Sequence, residues 1–307
     1  MAEQSPLQPD PSMVGGVSKA PFVLPPGPLR IFTRRADRFD ILASTSKLAP
    51  YLNFLGALTR AQASLVATLP ALPPPDAAQI ERARAAAMPP IDRASLATAP
   101  DLATTFDRLF EAAATIEMPA AAAQALSTTR QAEPGMLRAM TANVLADAIP
   151  RDSLAPHLFV AAGIQVHAAR CAAALDPSTL VPIAVGVCPA CGGPPGVSVV
   201  VGFSGAEGAR YAVCSCCSTS WNEVRVKCIA CGSTQGIGYR DTSEPGTTAT
   251  VKAEVCDHCH SWIKILYQNQ NPSLDPVADD VASLGLDMLM RGTDYRAAGS
   301  NPFMLGY

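Results

Sequence analysis

Ten cysteines occur in this chain of 307 residues, and eight of them form four Cys-x-x-Cys pairs: Cys188/Cys191, Cys214/Cys217, Cys228/Cys231 and Cys256/Cys259. Two sulfurs three residues apart can turn toward one point. Two such pairs supply four thiolates, a complete tetrahedral shell for zinc or for a single iron. The gaps between successive pairs are 22, 10 and 24 residues. This long, short, long alternation predicts that Cys188, Cys191, Cys214 and Cys217 share one ion and that Cys228, Cys231, Cys256 and Cys259 share a second. An all-sulfur tetrahedral shell suits both metals, and spacing alone favours zinc. A segment this small builds little core of its own, so a bound ion would contribute folding free energy, typically on the order of 10–16 kcal/mol for a structural zinc. A disulfide oxidoreductase fits less well, because no thioredoxin-like alternation of strands and helices surrounds the pairs.

Other residues able to do chemistry have simpler readings. Cys216 lies inside the second pair and offers an alternative register, but Cys214 with Cys217 keeps the spacing of the other three pairs. Cys216 therefore reads as an accessory thiol, and Cys171, within a helical stretch, as a small buried hydrophobe. His258 and His260 flank Cys259, yet a full four-cysteine shell leaves them no vacancy. His157 and His167 are ten residues apart on one helical segment, roughly 15 Å along its axis, too far to share an ion. Asp279, Asp280 and Asp287 read as helix-end and surface carboxylates, since no nucleophile or base motif accompanies them. Gly236 and Gly238 lack the helix and spacing of a phosphate loop. The chain is expected not to be an enzyme.

The formal charge is -3, which argues against an overall attraction to nucleic acid. Between residues 186 and 268 six basic side chains (Arg210, Arg225, Lys227, Arg240, Lys252, Lys264) face six acidic ones (Glu207, Glu223, Asp241, Glu244, Glu254, Asp257). Four thiolates around a divalent ion add further negative charge. Nucleic-acid binding, which relies on a positive patch, is not expected. The N-terminal stretch lacks the apolar segment of a signal peptide, and the most apolar run, residues 158–166, is too short and polar-flanked to span a membrane. A cytoplasmic location is expected, without membrane insertion. In that compartment paired cysteines read as metal ligands or redox thiols.

The elements that must position these thiols change character along the chain. Seven prolines within residues 1–28 predict a disordered arm over residues 1–27. Residues 28–180 read as an all-α bundle. Leu48, Tyr51, Leu52, Leu55 and Leu58 share one helical face, and Pro70 must end that helix. Further helices are expected over residues 76–87, around Leu102, Phe106, Leu109 and Phe110, after Pro134, and over 153–174. From Gly186 the chain turns rich in Gly, Cys, Val and Thr. Residues 197–202 and 210–213 predict one hairpin, and 237–240 with 249–255 another. The segment repeats itself: Cys188-Pro189-Ala190-Cys191-Gly192 matches Cys228-Ile229-Ala230-Cys231-Gly232, and a tryptophan (Trp221, Trp262) follows each second pair. Two tandem ribbons of the rubredoxin or zinc-ribbon kind are expected, over 186–226 and 227–270. A C-terminal helix and tail fill 271–307. That helix should run over 276–290, with Asp275 as its cap and Val281, Leu284 and Met288 as its apolar stripe. The fold class is thus α+β.

These residues also carry a resemblance. Arg34-Arg35-Ala36, Cys188-Pro189-Ala190-Cys191-Gly192, Trp221 leading to Arg225-Val226-Lys227-Cys228, Lys264-Ile265-Leu266-Tyr267, Ala278-Asp279-Asp280 with Leu286-Asp287, and Asn301-Pro302-Phe303 together resemble the formate dehydrogenase accessory proteins of the FdhE family. The resemblance implies a helical domain followed by two rubredoxin-like modules, with a role in cytoplasmic maturation of formate dehydrogenase through binding of its catalytic subunit. It implies iron at Cys188, Cys191, Cys214, Cys217, Cys228, Cys231, Cys256 and Cys259, shifting the preferred metal from zinc to iron. Cys216 and the long proline-rich N-terminus depart from the family pattern. The alternatives are a rubredoxin-type electron carrier for another partner and a zinc-ribbon module that binds nucleic acid.

Overall fold

The computed structural model describes residues 20–243 and 246–304. Among the described residues eight α-helices form the N-terminal half: α1 (Pro28–Ala43), α2 (Ala49–Thr68), α3 (Ala77–Ala85), α4 (Arg93–Leu96), α5 (Pro100–Ala113), α6 (Ala120–Arg130), α7 (Pro134–Leu145) and α8 (Leu154–Ala173). Prolines punctuate them where proline is tolerated: Pro28, Pro100 and Pro134 open α1, α5 and α7, positions whose N–H has no partner inside the helix anyway. The Asp76 and Asp92 carboxylates cap α3 and α4 by accepting from backbone N–H groups.

α8 is the axis of this half. Phe159 to Ala169 are buried without a break, as expected of a helix hydrophobic all round, and α2, α5, α6 and α7 pack about it. Gly163 lets the Phe106 ring lie against it: a Cβ there would meet Phe106 Cδ1 at 2.5 Å. The helices expected from periodicity are present. α1, α4 and α6 were not expected. Alanine fills five of the eleven positions of α6 and gives no amphipathic signal, while α1 interleaves its buried Phe32 and Phe39 with arginines and aspartates.

The C-terminal half is one mixed sheet. Its strands are β2 (Pro195–Val200), β3 (Arg210–Cys214), β4 (Ser220–Glu223), β5 (Ile237–Arg240), β6 (Val251–Cys256), β7 (Ser261–Tyr267) and β8 (Arg296–Ala297). The order is β1-β4-β3-β2-β7-β6-β5, with β1 at Val23–Leu24 and β8 paired to β7. Each ribbon has three antiparallel strands, not the two of a hairpin, and the ribbons are fused. β2 runs parallel to β7, with Ser198 opposite Ile265 and Val200 opposite Tyr267. Arg210 and Glu254 bridge the ribbons within the buried interior, 2.7 Å apart. One face of the sheet, through Ala212, Cys214, Trp221 and Ile263, joins the helical core, while Val197, Val199, Tyr211, Val213 and Leu266 form a second cluster. In β3 this split follows from the alternation of side chains along a strand.

Three expectations need correction. The disordered arm was expected to reach residue 27. Its first nineteen residues lie outside those described, but Val23–Leu24 pair with β4, and the Tyr211 hydroxyl donates to Pro21 O at 2.8 Å. The backbone of this proline-rich piece is satisfied by a sheet edge. The single C-terminal helix is two, α9 (Ala278–Ala282) and α10 (Leu284–Arg291). The chain leaves helical geometry at Ser283, which rotates the second helix, so that Leu286 and Met290 are buried and Met288 is exposed. Finally, Asp279 and Asp280 are buried, not surface residues. Arg38 holds both Asp279 oxygens, at 2.6 and 2.9 Å, and Lys264 meets Asp280 and Asp287 at 2.7 and 2.5 Å. Asp275 does accept from the N–H groups of Val277 and Ala278, and it also receives Arg35 Nε at 3.1 Å.

Candidate metal centres

Every cysteine pair lies on a tight turn of one design. In the first, Gly192 N donates to Cys188 O at 2.9 Å. The corresponding bonds are Ser218 N to Cys214 O, Gly232 N to Cys228 O and His260 N to Cys256 O. The donor is always the residue after the second cysteine, and in all four turns it has positive φ: +72° at Gly192, +59° at Ser218, +77° at Gly232 and +53° at His260. Glycine fits this left-handed geometry without strain, which is why the glycine after Cys191 recurs after Cys231. His260 is thus a turn residue and lies outside the sulfur cluster, as does His258, whose Nδ1 is 3.7 Å from Cys231 Sγ.

The turns converge in pairs. The sulfurs of Cys188, Cys191, Cys214 and Cys217 lie within 4.8 Å of one another, and so do those of Cys228, Cys231, Cys256 and Cys259. These are the two groups that the spacing predicts. Cys188 to Cys217 is 3.7 Å and Cys191 to Cys214 is 3.5 Å. Cys228 to Cys259 is 3.7 Å and Cys231 to Cys256 is 3.8 Å. A tetrahedron with metal–sulfur bonds of about 2.3 Å has an edge of about 3.8 Å, so both clusters have the dimensions of a tetrathiolate shell. All ten cysteines are free thiols. The donor set therefore fits zinc or a single iron ion.

Polar groups line both clusters and favour the thiolate at some positions only, since the pKa values of Cys231 and Cys256 are raised. Thr219 Oγ1 lies 3.1 Å from Cys217 Sγ, and at the matching position of the repeat Ser261 Oγ lies 3.0 Å from Cys259 Sγ and 3.4 Å from Cys228 Sγ. At Cys228, burial works against ionisation, but hydrogen bonds from Ser261 and from the N–H groups of Cys231 and Ala230 outweigh it and bring the thiol to about 7. In the first cluster hydrogen bonds from Cys188 and its neighbours hold Cys191 well below the ordinary thiol range, while burial pushes Cys188 and Cys217 well above it. Bare sulfurs this close cannot all be ionised. A cation at the centre removes the conflict, because a coordinating thiol is deprotonated outright.

A positive side chain from the helical half, without a sequence signal, stands beside the first cluster. Arg93 of α4 fills the space over Gly193, where a Cβ would strike its Nη1 and lie 3.3 and 3.4 Å from the sulfurs of Cys214 and Cys191. Burial opposes its charge, but Cys216, Cys191 and Cys214 more than compensate and raise its pKa. Cys216 is excluded from the four-sulfur group and lines a cavity of about 120 Å³ with Arg93, Asp147 and Gln165. Cys171 sits in α8, where burial pushes its thiol up to about 11. His157 and His167 are buried in the same helix. His157 is held between Ser153 O and Asn143, and burial lowers His167 to about 4.

Comparison with known proteins extends this picture to the whole chain. The model of the FdhE N-terminal region matches residues 20–185, that of the FdhE central domain matches 187–225, and that of the FdhE C-terminal domain matches 226–304. The chain belongs to the FdhE family. An FdhE homolog of Rhizobium meliloti (strain 1021) is 62% identical over 303 residues, covering 99% of each chain. The FdhE protein of Escherichia coli (strain K12) is 31% identical over 276 residues, covering 89% of this chain and 88% of that one. The crystal structure of FdhE from Pseudomonas aeruginosa superposes with a TM-score of 0.83 at 30% identity, over 94% of this chain and 99% of that chain. Among the described residues no helix is long and apolar enough to cross a membrane.

Proposed function

We propose that the chain is a non-catalytic, metal-binding accessory factor for formate dehydrogenase maturation, which binds the catalytic subunit in the cytoplasm. Membership of the FdhE family along nearly the full length carries this reading. The eight paired cysteines are its metal ligands, four to each ion, with iron preferred to zinc. Iron in such a shell can take up and release one electron with little rearrangement, whereas zinc would only hold the turns together. Hydrogen bonds from Ser261 and the turn N–H groups support the thiolates, and Arg93 offsets negative charge at the first centre. The helical bundle and α10 offer the docking surface, on which Met288 and Leu289 are exposed.

The test is anaerobic purification of the tagged full chain from cells making formate dehydrogenase, followed by metal analysis. The expected result is co-purification of the catalytic subunit with two ions per chain and thiolate-to-iron absorption in the visible. A colourless preparation with two zinc ions would overturn the iron preference. Absence of the catalytic subunit under several conditions would overturn the accessory role.

A further inference from the structure

The two clusters share one local design but have opposite relations to solvent. Cys188, Cys191 and Cys217 are completely buried and Cys214 is 2% exposed. In the second cluster Cys228 and Cys256 are buried, Cys231 is exposed and Cys259 is half-buried. The cause lies in the fold. The first cluster is part of the main hydrophobic core, together with Ala190, Phe106 and α8. Both of its turns are tied to the helical half: Ile91 N donates to Ala190 O at 3.0 Å, and Gln165 Nε2 donates to Ser215 O at 3.1 Å. Pro89 packs over Gly192, and Arg93 fills the slot at Gly193. The second cluster lies toward the β5 edge of the sheet. Its last turn is held by the C-terminal segment, through Arg296 N to His260 O at 2.7 Å and the hydrogen bond of the Tyr295 hydroxyl to Asp257. Among the described residues no element covers Cys231, which is exposed.

We infer that the Cys228/Cys231/Cys256/Cys259 centre is the exchangeable one, open to small soft-metal chelators and thiols, and that the first centre is sealed until the helical half separates from the sheet. This rests on the proposed metal-binding role of both clusters. Ligand exchange at thiolate-bound ions begins when one metal–sulfur bond is replaced by a bond to an incoming donor. At Cys231 that donor can approach from water. At the first cluster every approach passes through packed side chains, so exchange waits on local opening. It also follows that the first ion enters before the two halves close, whereas the second can be loaded or withdrawn in the folded protein.

The experiment uses the full chain loaded with two zinc ions and the metallochromic chelator 4-(2-pyridylazo)resorcinol as probe. Two phases of release are expected, each of one ion per chain, with rates separated by about tenfold or more. A pulse of N-ethylmaleimide at the end of the fast phase, read by peptide mass spectrometry, should label Cys228, Cys231, Cys256 and Cys259 and spare Cys188, Cys191, Cys214 and Cys217. Release of both ions in one phase, or labelling of the first cluster within the fast phase, would overturn the inference and leave the metal-binding reading standing. Failure to load two ions per chain would instead overturn that reading, and this inference with it.

Discussion

The buried pair Arg210–Glu254 provides a quantitative test of how the two ribbons are joined. The Arg210 side chain is fully buried and that of Glu254 is 3% exposed. Besides Glu254, Arg210 donates to Ser198 Oγ from Nε at 3.1 Å and from Nη2 at 2.9 Å, and to Lys227 O from Nη1 at 2.7 Å. Arg210→Met leaves the Glu254 carboxylate buried without its partner, which should destabilise by about 3–5 kcal/mol. Glu254→Leu leaves Arg210 with Ser198 and Lys227, and should lie at the lower end of that range. The double substitution should behave differently. Burial raises the pKa of Glu254 despite the pull of Arg210, so the attraction does not fully offset desolvation. Replacing both should then fall within about 1–2 kcal/mol of the original protein, giving a coupling energy above about 2 kcal/mol. Urea unfolding of the metal-loaded chain, followed by fluorescence, suits the purpose because Trp221 lies in the first ribbon and Trp262 in the second. Single substitutions that cost under about 1 kcal/mol, or a double equal to their sum, would refute the reasoning.

Further outcomes are open to simple measurement. Cys188→Ser should remove one of the two ions and leave the other, and metal analysis showing both retained would contradict the grouping of the thiols. Gly163→Ala should lower stability by about 1–3 kcal/mol by forcing the Phe106 ring aside, despite the better helix propensity of alanine, worth up to about 1 kcal/mol; thermal unfolding reads the balance, and an unchanged midpoint would mean that the ring yields freely. His167 is held neutral, at about 4 against an ordinary 6.5, so the unfolded chain binds the extra proton between those values. Its contribution is fully present above about pH 6.5 and is lost as pH falls toward 4, by up to about 3 kcal/mol. His167→Gln should flatten the loss of stability between pH 6.5 and 5, and an unaltered profile would remove His167 as its source.

Much of the candidate site was legible because its information is local. A cysteine turn needs only a few consecutive residues, and a glycine after the second cysteine marks the left-handed position twice in the sequence. The same position is Ser218 and His260 in the other two turns, which is why His260 drew attention as a donor although its backbone is what the turn uses. Helices with a clear apolar stripe, such as α2 and α5, were legible for the same reason. α6 was not, because alanine is apolar without marking a face. Asp279 and Asp280 lie in the first turn of α9 and Asp287 in that of α10, as helix-end charges, but their place in buried ion pairs was not legible, because surface carboxylates and paired ones use the same residue types. Only the approach of Arg38 and Lys264, from positions 241 residues before Asp279 and 16 before Asp280, distinguishes the two.

By itself the sequence determined that this protein has four cysteine turns in two groups, following a helical half, because turn geometry and helix periodicity are set by residues close together in the chain. The tertiary structure alone decided that the two ribbons become one sheet through the parallel pairing of β2 with β7, that Arg93 stands beside one cluster, and that this cluster is closed within the core while the other faces water. Those features depend on which distant surfaces pack together, and packing follows from the shape and burial of whole elements, not from the spacing of any motif.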